Sequence, residues 1–284
     1  MTDLPNTKII AKPRGKARPV KPGEIYGVPG QGDTLWLSIL AIIGFFALWW
    51  FVTFMGWVKP LFVPAPQAVF KKFIDVLQNG FTNVPFWEHM AVSTARVFGA
   101  FLLACAVGIP LGLAMGMSPV MRGIFDPLIE FYRPIPPLAY LPLMIIWFGI
   151  GETSKVLLIF LSVLAPVTLG ARSGVKSAAI EQIHAAYSFG ATRWQVLWQV
   201  IFPSALPEIL TAMRIGVGFG WTTLVAAEMV AATEGLGFMV LTASQFLQTS
   251  TVIMGIFVIA AIAYGFDMLM RWLERRIVPW KGRM

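Results

Sequence analysis

The sequence predicts an all-α, polytopic membrane protein with about six transmembrane helices. Hydrophobic residues make up 57% of the 284 residues, charged residues only 13%, and the mean hydropathy is +0.73. A soluble domain has about 25% charged residues, and a soluble core this apolar would leave large hydrophobic patches in water. The apolar residues are gathered in runs of the length that crosses about 30 Å of hydrocarbon as a helix.

Five of the predicted spans are plain apolar runs, at about residues 35–58, 91–117, 154–171, 207–232 and 252–272. The third span in chain order differs, because its purely apolar part, residues 138–150, is too short to cross alone. It must borrow residues from about 124 onward, and this first half carries Glu130 and Arg133 before a run of prolines. Two interpretations stay open: an interfacial Glu130–Arg133 ion pair before a proline kink, or a broken helix that lines a pathway.

The second span contains glycines at a regular spacing. Gly108, Gly112 and Gly116 follow one another every four residues and therefore lie on one face of a helix. A face without side chains lets a neighbouring backbone approach closely. We therefore expect another helix to pack against this face.

Basic residues are concentrated beside the predicted spans on one side of the membrane. The flanks on that side hold about fifteen Lys and Arg, and the flanks on the other side hold about five. The positive-inside rule then places both termini and residues 172–206 in the cytoplasm. The net charge of +8 thus marks orientation in a lipid bilayer and argues against a nucleic-acid partner.

The predicted organisation follows from these spans. Residues 1–34 form a basic, disordered cytoplasmic tail, and residues 35–90 contain the first transmembrane helix and a periplasmic segment with an amphipathic stretch at 69–77. Residues 91–272 form the membrane core with its cytoplasmic loop at 172–206. Residues 273–284 form a basic cytoplasmic C-terminus.

The loop at 172–206 predicts two short helices. The first, residues 178–189, stops at Gly190, and the second starts with a capping box made by Thr192 and Gln195. We expect the second helix to end at Pro203. Trp194 and Trp198 lie on one of its faces, where they either pack against the chain's own spans or dock into a groove on a partner.

The stretch HAAYSFGATRWQVLWQVIFPSALPEIL resembles the EAA loop of ABC-transporter permeases. The positions that match its pattern are Ala185, Ala186, Gly190, Val200 and Pro203, whereas His184 replaces the glutamate and Phe202 the leucine. Two further stretches, LIEFYRPIPPLAYLPLMIIWFGIGETSK and GWTTLVAAEMVAATEGLGFMV, resemble the branch of these permeases that imports taurine, sulfonates and nitrate, most of all the taurine permeases. The resemblance covers nearly everything after the basic tail.

The resemblance implies a type I ABC importer permease (MetI-like) fold that translocates taurine or a related sulfonate. Two copies would form the passage, two ATP-binding cassette subunits would bind the loops, and a periplasmic binding protein would deliver the substrate. ATP and Mg would belong to the ATPase; this chain, which has no G-x-x-x-x-G-K-[ST] motif, would bind no cofactor and would not be an enzyme. The residues expected to couple the ATPase to the spans are Ala185, Ala186, Gly190, Trp194, Trp198 and Pro203. The same architecture importing nitrate, bicarbonate or another small solute is the alternative.

Four polar residues are candidates for the substrate pathway or its gate: Arg133, Thr222, Thr223 and Glu228. Ionisable residues are costly in hydrocarbon and therefore mark functional sites. We expect Glu228, near the outer end of its span, to hold the outer gate by hydrogen bonds, with lining the pathway as the second choice. No catalytic or metal-binding constellation is visible in the sequence. The competing classes are a membrane-embedded enzyme, which would need facing polar groups on adjacent spans, and a self-standing channel or carrier, which would need no cytoplasmic docking loop.

Overall fold

The structure, a computed structural model, describes residues 35–280, which fold into eleven α-helices and one π-helical turn. The α-helices are α1 (Leu35–Phe54), α2 (Pro66–Asn79), α3 (Phe86–Met117), α4 (Pro119–Tyr132), α5 (Pro137–Phe148), α6 (Glu152–Val175), α7 (Ile180–Ser188), α8 (Arg193–Val196), α9 (Phe202–Ala231), α10 (Leu236–Gln245) and α11 (Thr249–Ile277). The π-helical turn, Leu197–Ile201, joins α8 to α9. The predicted disordered tail and the last four residues lie outside the described residues.

Five helical stretches of the described chain are long and apolar enough to cross a membrane: α1, α3, α6, the unbroken helix Arg193–Ala231, and α11. They correspond to the first, second, fourth, fifth and sixth predicted spans. α1 has 20 residues, about 30 Å of helix, and its large apolar side chains are exposed almost throughout. The predicted amphipathic stretch is α2, which buries Val69 and Val76 on one face.

The third predicted span is not one continuous helix, as one of the two open interpretations expected. Residues 133–136 separate α4 from α5, which has only 12 residues. Pro134 and Pro136 have no N–H to donate, so the backbone hydrogen-bond ladder is interrupted in this segment. The Glu130–Arg133 ion pair is not formed among the described residues, so the broken helix fits the structure, and its role in lining a pathway stays a prediction.

The core is formed by α3 and α9 packed against α6, with α11 contributing at its edge. The predicted close approach at the glycine face of α3 is confirmed, and the neighbour is α6. A Cβ added at Gly112 would lie 2.3 Å from the Thr168 carbonyl oxygen, and one at Gly116 would lie 2.5 Å from Cγ2 of Val175. At Gly108 the nearest atom is Oγ1 of Thr168, at 3.0 Å.

Replacing Gly112 with Ala is expected to lower the stability of the folded chain by about 1–3 kcal/mol, because α3 and α6 must move apart to admit the methyl group. Gly99→Ala in the same helix is the matched control, since a Cβ there meets nothing within 4 Å. The measurement is the thermal unfolding midpoint of each purified variant in detergent. Equal midpoints for the two variants would contradict the tight α3–α6 contact.

The predicted end of the second loop helix at Pro203 is wrong. The helix Arg193–Ala231 runs unbroken for 39 residues, or ~58 Å, which is about twice the hydrocarbon thickness. The wider π-helical turn at Leu197–Ile201 lies immediately before Pro203 and accommodates a ring that would otherwise clash with the preceding turn. The predicted fifth span and the second loop helix are therefore one continuous helix.

The helix α10 was not predicted. It has 10 residues, lies between α9 and α11 in sequence, and packs on both. It is shorter than a spanning helix, so the hydropathy of the sequence does not distinguish it from a connection between spans. Gly235, with a φ of +126°, makes the turn that reverses the chain after α9.

Candidate functional site

Four charged side chains form a cluster where α3, α6 and α9 meet. Arg96 of α3 is 4% exposed, and its Nη1 donates to Oε1 of Glu228 in α9 at 2.7 Å. Its Nε and Nη2 both donate to the carboxylate of Glu152 at 2.6 Å, and Lys155 donates to the same carboxylate at 2.7 Å. Two positive and two negative charges thus compensate one another. This compensation is needed because Glu228 is 0% exposed, and a buried charge without a partner is strongly destabilising.

The same cluster holds the start of α10. The first N–H groups of a helix have no partner inside the helix. Here the N–H of Gly235 donates to Nδ1 of His89 at 3.0 Å, that of Leu236 to Oγ of Ser93 at 2.8 Å, and that of Gly237 to Oε2 of Glu228 at 2.8 Å. Side chains from α3 and α9 therefore fix α10 in place.

Glu228 was singled out from the sequence, and it is hydrogen-bonded to three other parts of the chain: Ser93, Arg96 and the start of α10. Its role as a gate stays a prediction. The members of the cluster on α3 were not predicted, although the sequence contained one signal for them. His89, Ser93 and Arg96 are spaced four and three residues apart, so they share one helical face in an otherwise apolar span.

A cleft of about 710 Å³ lies at the break between α4 and α5. Its other walls are the middle of α6 and the first half of α9. Arg133, a predicted pathway residue, lines this cleft together with Glu208, which was not among the predicted pathway residues. The aromatic residues Tyr132, Tyr140 and Phe219 line the cleft as well.

The two threonines predicted for the pathway lie elsewhere. Thr222 is exposed, donates to the Phe219 carbonyl oxygen at 2.9 Å, and lines a separate cleft of about 640 Å³ between α9 and α11. Thr223 is buried at 4% exposure. Successive residues of a helix point about 100° apart, so neighbours on α9 face different surroundings. The four candidate residues therefore do not form one site.

The predicted start of the second loop helix is confirmed. Oε1 of Gln195 accepts from the Thr192 N–H at 2.8 Å, while Oγ1 of Thr192 accepts from the Gln195 N–H at 3.3 Å. Gly190, the predicted stop of the first helix, has a φ of +82° between α7 and α8. A side chain there would be disfavoured by the positive φ and not by steric clashes, since a Cβ at this position would meet nothing within 4 Å.

The loop helices present an apolar surface, which we call the coupling surface: Ile180, Tyr187, Phe189, Trp194 and Trp198. Phe189 is 93% exposed, Trp194 67% and Trp198 46%. The two indoles contact each other with ring centroids 5.5 Å apart, and Trp198 also contacts Phe202 at 5.0 Å. Trp198 thus packs in part on the start of α9, whereas Trp194 is mostly exposed, and both indoles keep a large area that is free to contact a partner.

The other predicted coupling residues lie on the same elements. Ala185 and Ala186 are on α7, where the first is exposed and the second half-buried, and Pro203 lies at the start of α9. α7 packs on α8 and on the π-helical turn, so these residues are close to the coupling surface.

Comparisons with known proteins agree with this architecture. The family described as binding-protein-dependent transport system inner membrane component matches residues 108–279. The taurine transport system permease protein TauC of Escherichia coli is 54% identical over 252 residues, which cover 88% of this chain and 91% of that protein. The putative aliphatic sulfonates transport permease protein SsuC of E. coli is 32% identical, covering 84% of this chain and 89% of its own length.

The fold has a counterpart among solved structures. A chain of the MetNI methionine ABC transporter, in an inward-facing conformation, superposes with a TM-score of 0.57 at 17% identity, covering 67% of this chain and 93% of that one. The all-helical fold of an ABC importer permease, expected from the resemblance, is thereby confirmed. With a family match over more than half of its length and close relatives over most of it, the chain belongs to the family of inner membrane components of binding-protein-dependent transport systems.

Proposed function

We propose that the chain is the membrane-spanning subunit of an ABC importer that moves taurine or a related sulfonate into the cell. The observation that carries this proposal is the 54% identity to TauC across 88% of the chain. The similarity to SsuC supports the sulfonate class. A bicarbonate transport system permease protein, CmpB of Synechocystis, is 28% identical over 96% of this chain, so bicarbonate or nitrate remains the alternative substrate.

The proposed assembly contains two copies of this chain, two ATPase subunits and a periplasmic binding protein. The ATPase subunits bind ATP and Mg and dock on the coupling surface, while this chain binds no cofactor and catalyses no reaction by itself. The exposed aromatic side chains support this arrangement, because an exposed apolar patch of this kind is typical of a protein–protein interface.

The test of this function is uptake by proteoliposomes that contain the chain with its ATPase and are supplied with the binding protein. We expect ATP-dependent uptake of radiolabelled taurine that unlabelled taurine or ethanesulfonate reduces and that nitrate and bicarbonate leave unchanged. Omitting the ATPase should abolish uptake. Taurine uptake without the ATPase would favour a self-standing carrier, and uptake of bicarbonate in place of taurine would favour the alternative substrate.

The proposed orientation places both termini, residues 172–206 and residues 273–284 in the cytoplasm, and α2 and α10 toward the periplasm. In a Cys105→Ala background, cysteines at Gln78 and Gln245 are expected to react with an impermeant maleimide added to intact cells. A cysteine at Gln182 should react only after the cells are opened. All three positions are exposed in the folded chain, so the side of the membrane on which a cysteine lies, and not its burial, decides whether it reacts. Labelling of the Gln182→Cys variant in intact cells would contradict this orientation.

A further inference from the structure

The cleft at the α4–α5 break combines opposite charges in apolar surroundings. Arg133 is the one basic and Glu208 the one acidic residue among those that line it, and no salt bridge joins either of them to another described residue. Most of the remaining wall is apolar or aromatic. The cleft faces the middle of α6, a membrane-spanning helix, and both charged side chains are exposed and therefore accessible to a ligand.

The two charges also constrain what the cleft can accept. Arg133 alone would attract any anion, including nitrate or bicarbonate. Glu208 in the same cleft repels a simple anion and attracts a cationic group, so a ligand that satisfies both must carry both charges. The two residues come from different parts of the wall, the α4–α5 link and α9. A zwitterion in the cleft would meet a positive charge on one wall and a negative charge on another.

We propose that this cleft is a subsite for a zwitterionic amino-sulfonate in transit through the membrane. Arg133 binds the sulfonate oxygens through its guanidinium, and Glu208 binds the ammonium group. Tyr132 also lines the cleft, and its hydroxyl is buried without a hydrogen-bond partner among the described residues. The proposal rests on the proposed function and assigns this chain a part in substrate discrimination.

The size of the cleft indicates weak binding. At about 710 Å³ it is far larger than a molecule with two carbon atoms between its charged groups, so it encloses its ligand loosely. Loose binding suits a passage, because a transported solute must leave the subsite as readily as it enters. The discrimination is therefore expected to come from charge and not from shape.

The test measures binding of radiolabelled taurine to the permease–ATPase complex in nanodiscs, without the binding protein. Unlabelled taurine, ethanesulfonate and ethylamine are the competitors, because the second lacks the ammonium group and the third the sulfonate. For the wild-type complex we expect ethanesulfonate to compete about tenfold more weakly than taurine, which is the effect of losing one charged contact. Glu208→Gln should remove this preference, and Arg133→Gln should weaken both sulfonates while Arg133→Lys retains part of the binding.

Glu130→Gln and Arg122→Gln are the matched controls, since both residues are exposed and neither lines the cleft. They should behave as wild type. An unchanged preference in Glu208→Gln, or no saturable taurine binding by the wild-type complex, would overturn the subsite. Uptake by proteoliposomes separates this result from the proposed function: if the wild type imports taurine and Glu208→Gln keeps its preference, the function stands and the subsite fails. If the wild type imports no taurine, the proposed function itself fails.

Discussion

Replacing Arg96 with Met is expected to lower the free energy of unfolding by about 3–5 kcal/mol, a large share of the total for a folded domain. The loss comes from Glu228, which is 0% exposed and would lose the guanidinium that donates to it at 2.7 Å. Glu152 would lose two hydrogen bonds as well, but it is more exposed and retains Lys155. The measurement is the thermal unfolding midpoint in detergent, together with the yield of monodisperse protein.

Two variants show whether the buried charge is the cause. The double variant Arg96→Met, Glu228→Met should recover much of the lost stability, because no unpaired charge then remains in the cluster. Recovery should be incomplete, since the N–H of Gly237 loses its acceptor. Arg271→Met removes an ion pair with Asp267 on the exposed face of α11 and should cost less than about 1 kcal/mol. If Arg96→Met lowered the unfolding midpoint no more than Arg271→Met does, the charged cluster would not contribute to the stability of the fold.

Replacing Trp198 with Asp is expected to abolish most of the co-purification of the ATPase and its substrate-stimulated hydrolysis. An indole that anchors an interface contributes about 2 kcal/mol or more, and a carboxylate in its place would be buried without a partner. The neighbouring Gln199→Asp variant adds the same charge on a different face of the π-helical turn and keeps the indole, so it should retain the ATPase. Both measurements are made on complexes purified from membranes.

Gly190→Leu tests the same surface through the backbone. With a φ of +82°, this position disfavours a side chain, and a large one would also stand in open space beside the coupling surface. We expect a membrane-inserted chain whose ATPase is bound weakly or is uncoupled from transport. Gly190→Asn is the control, because Asn tolerates a positive φ more readily than other residues. Wild-type ATPase retention and hydrolysis in both Trp198→Asp and Gly190→Leu would rule out docking at this surface.

The structure gives coupling at this surface a mechanical route. Trp198 and Glu228 belong to one unbroken helix, Arg193–Ala231, which starts in the loop and ends at the buried cluster. We therefore expect a tilt imposed on its first turns to reach the helix end that holds α10. The predicted break at Pro203 would have placed a flexible joint between these two regions.

Local chemistry determined a large part of this protein from the sequence alone. Apolar runs fix the spans because a helix in lipid must be apolar over a set length. The four-residue glycine spacing of α3 and the Thr192–Gln195 capping box depend on residues within one or two turns, so both were predicted correctly. The family was also visible in the sequence, since its loop pattern is contiguous in the chain.

Only the tertiary structure decided which distant residues meet. Arg96 and Glu228 are 132 residues apart in the chain, and they pair because α3 packs against α9. Arg133 and Glu208 share a cleft for the same reason, although α5, α6 and the loop helices separate them along the chain. The helix α10 is held by side chains from α3 and α9, so its own short sequence could not predict it. Contacts of this kind depend on how helices pack, and no local pattern in the sequence encodes them.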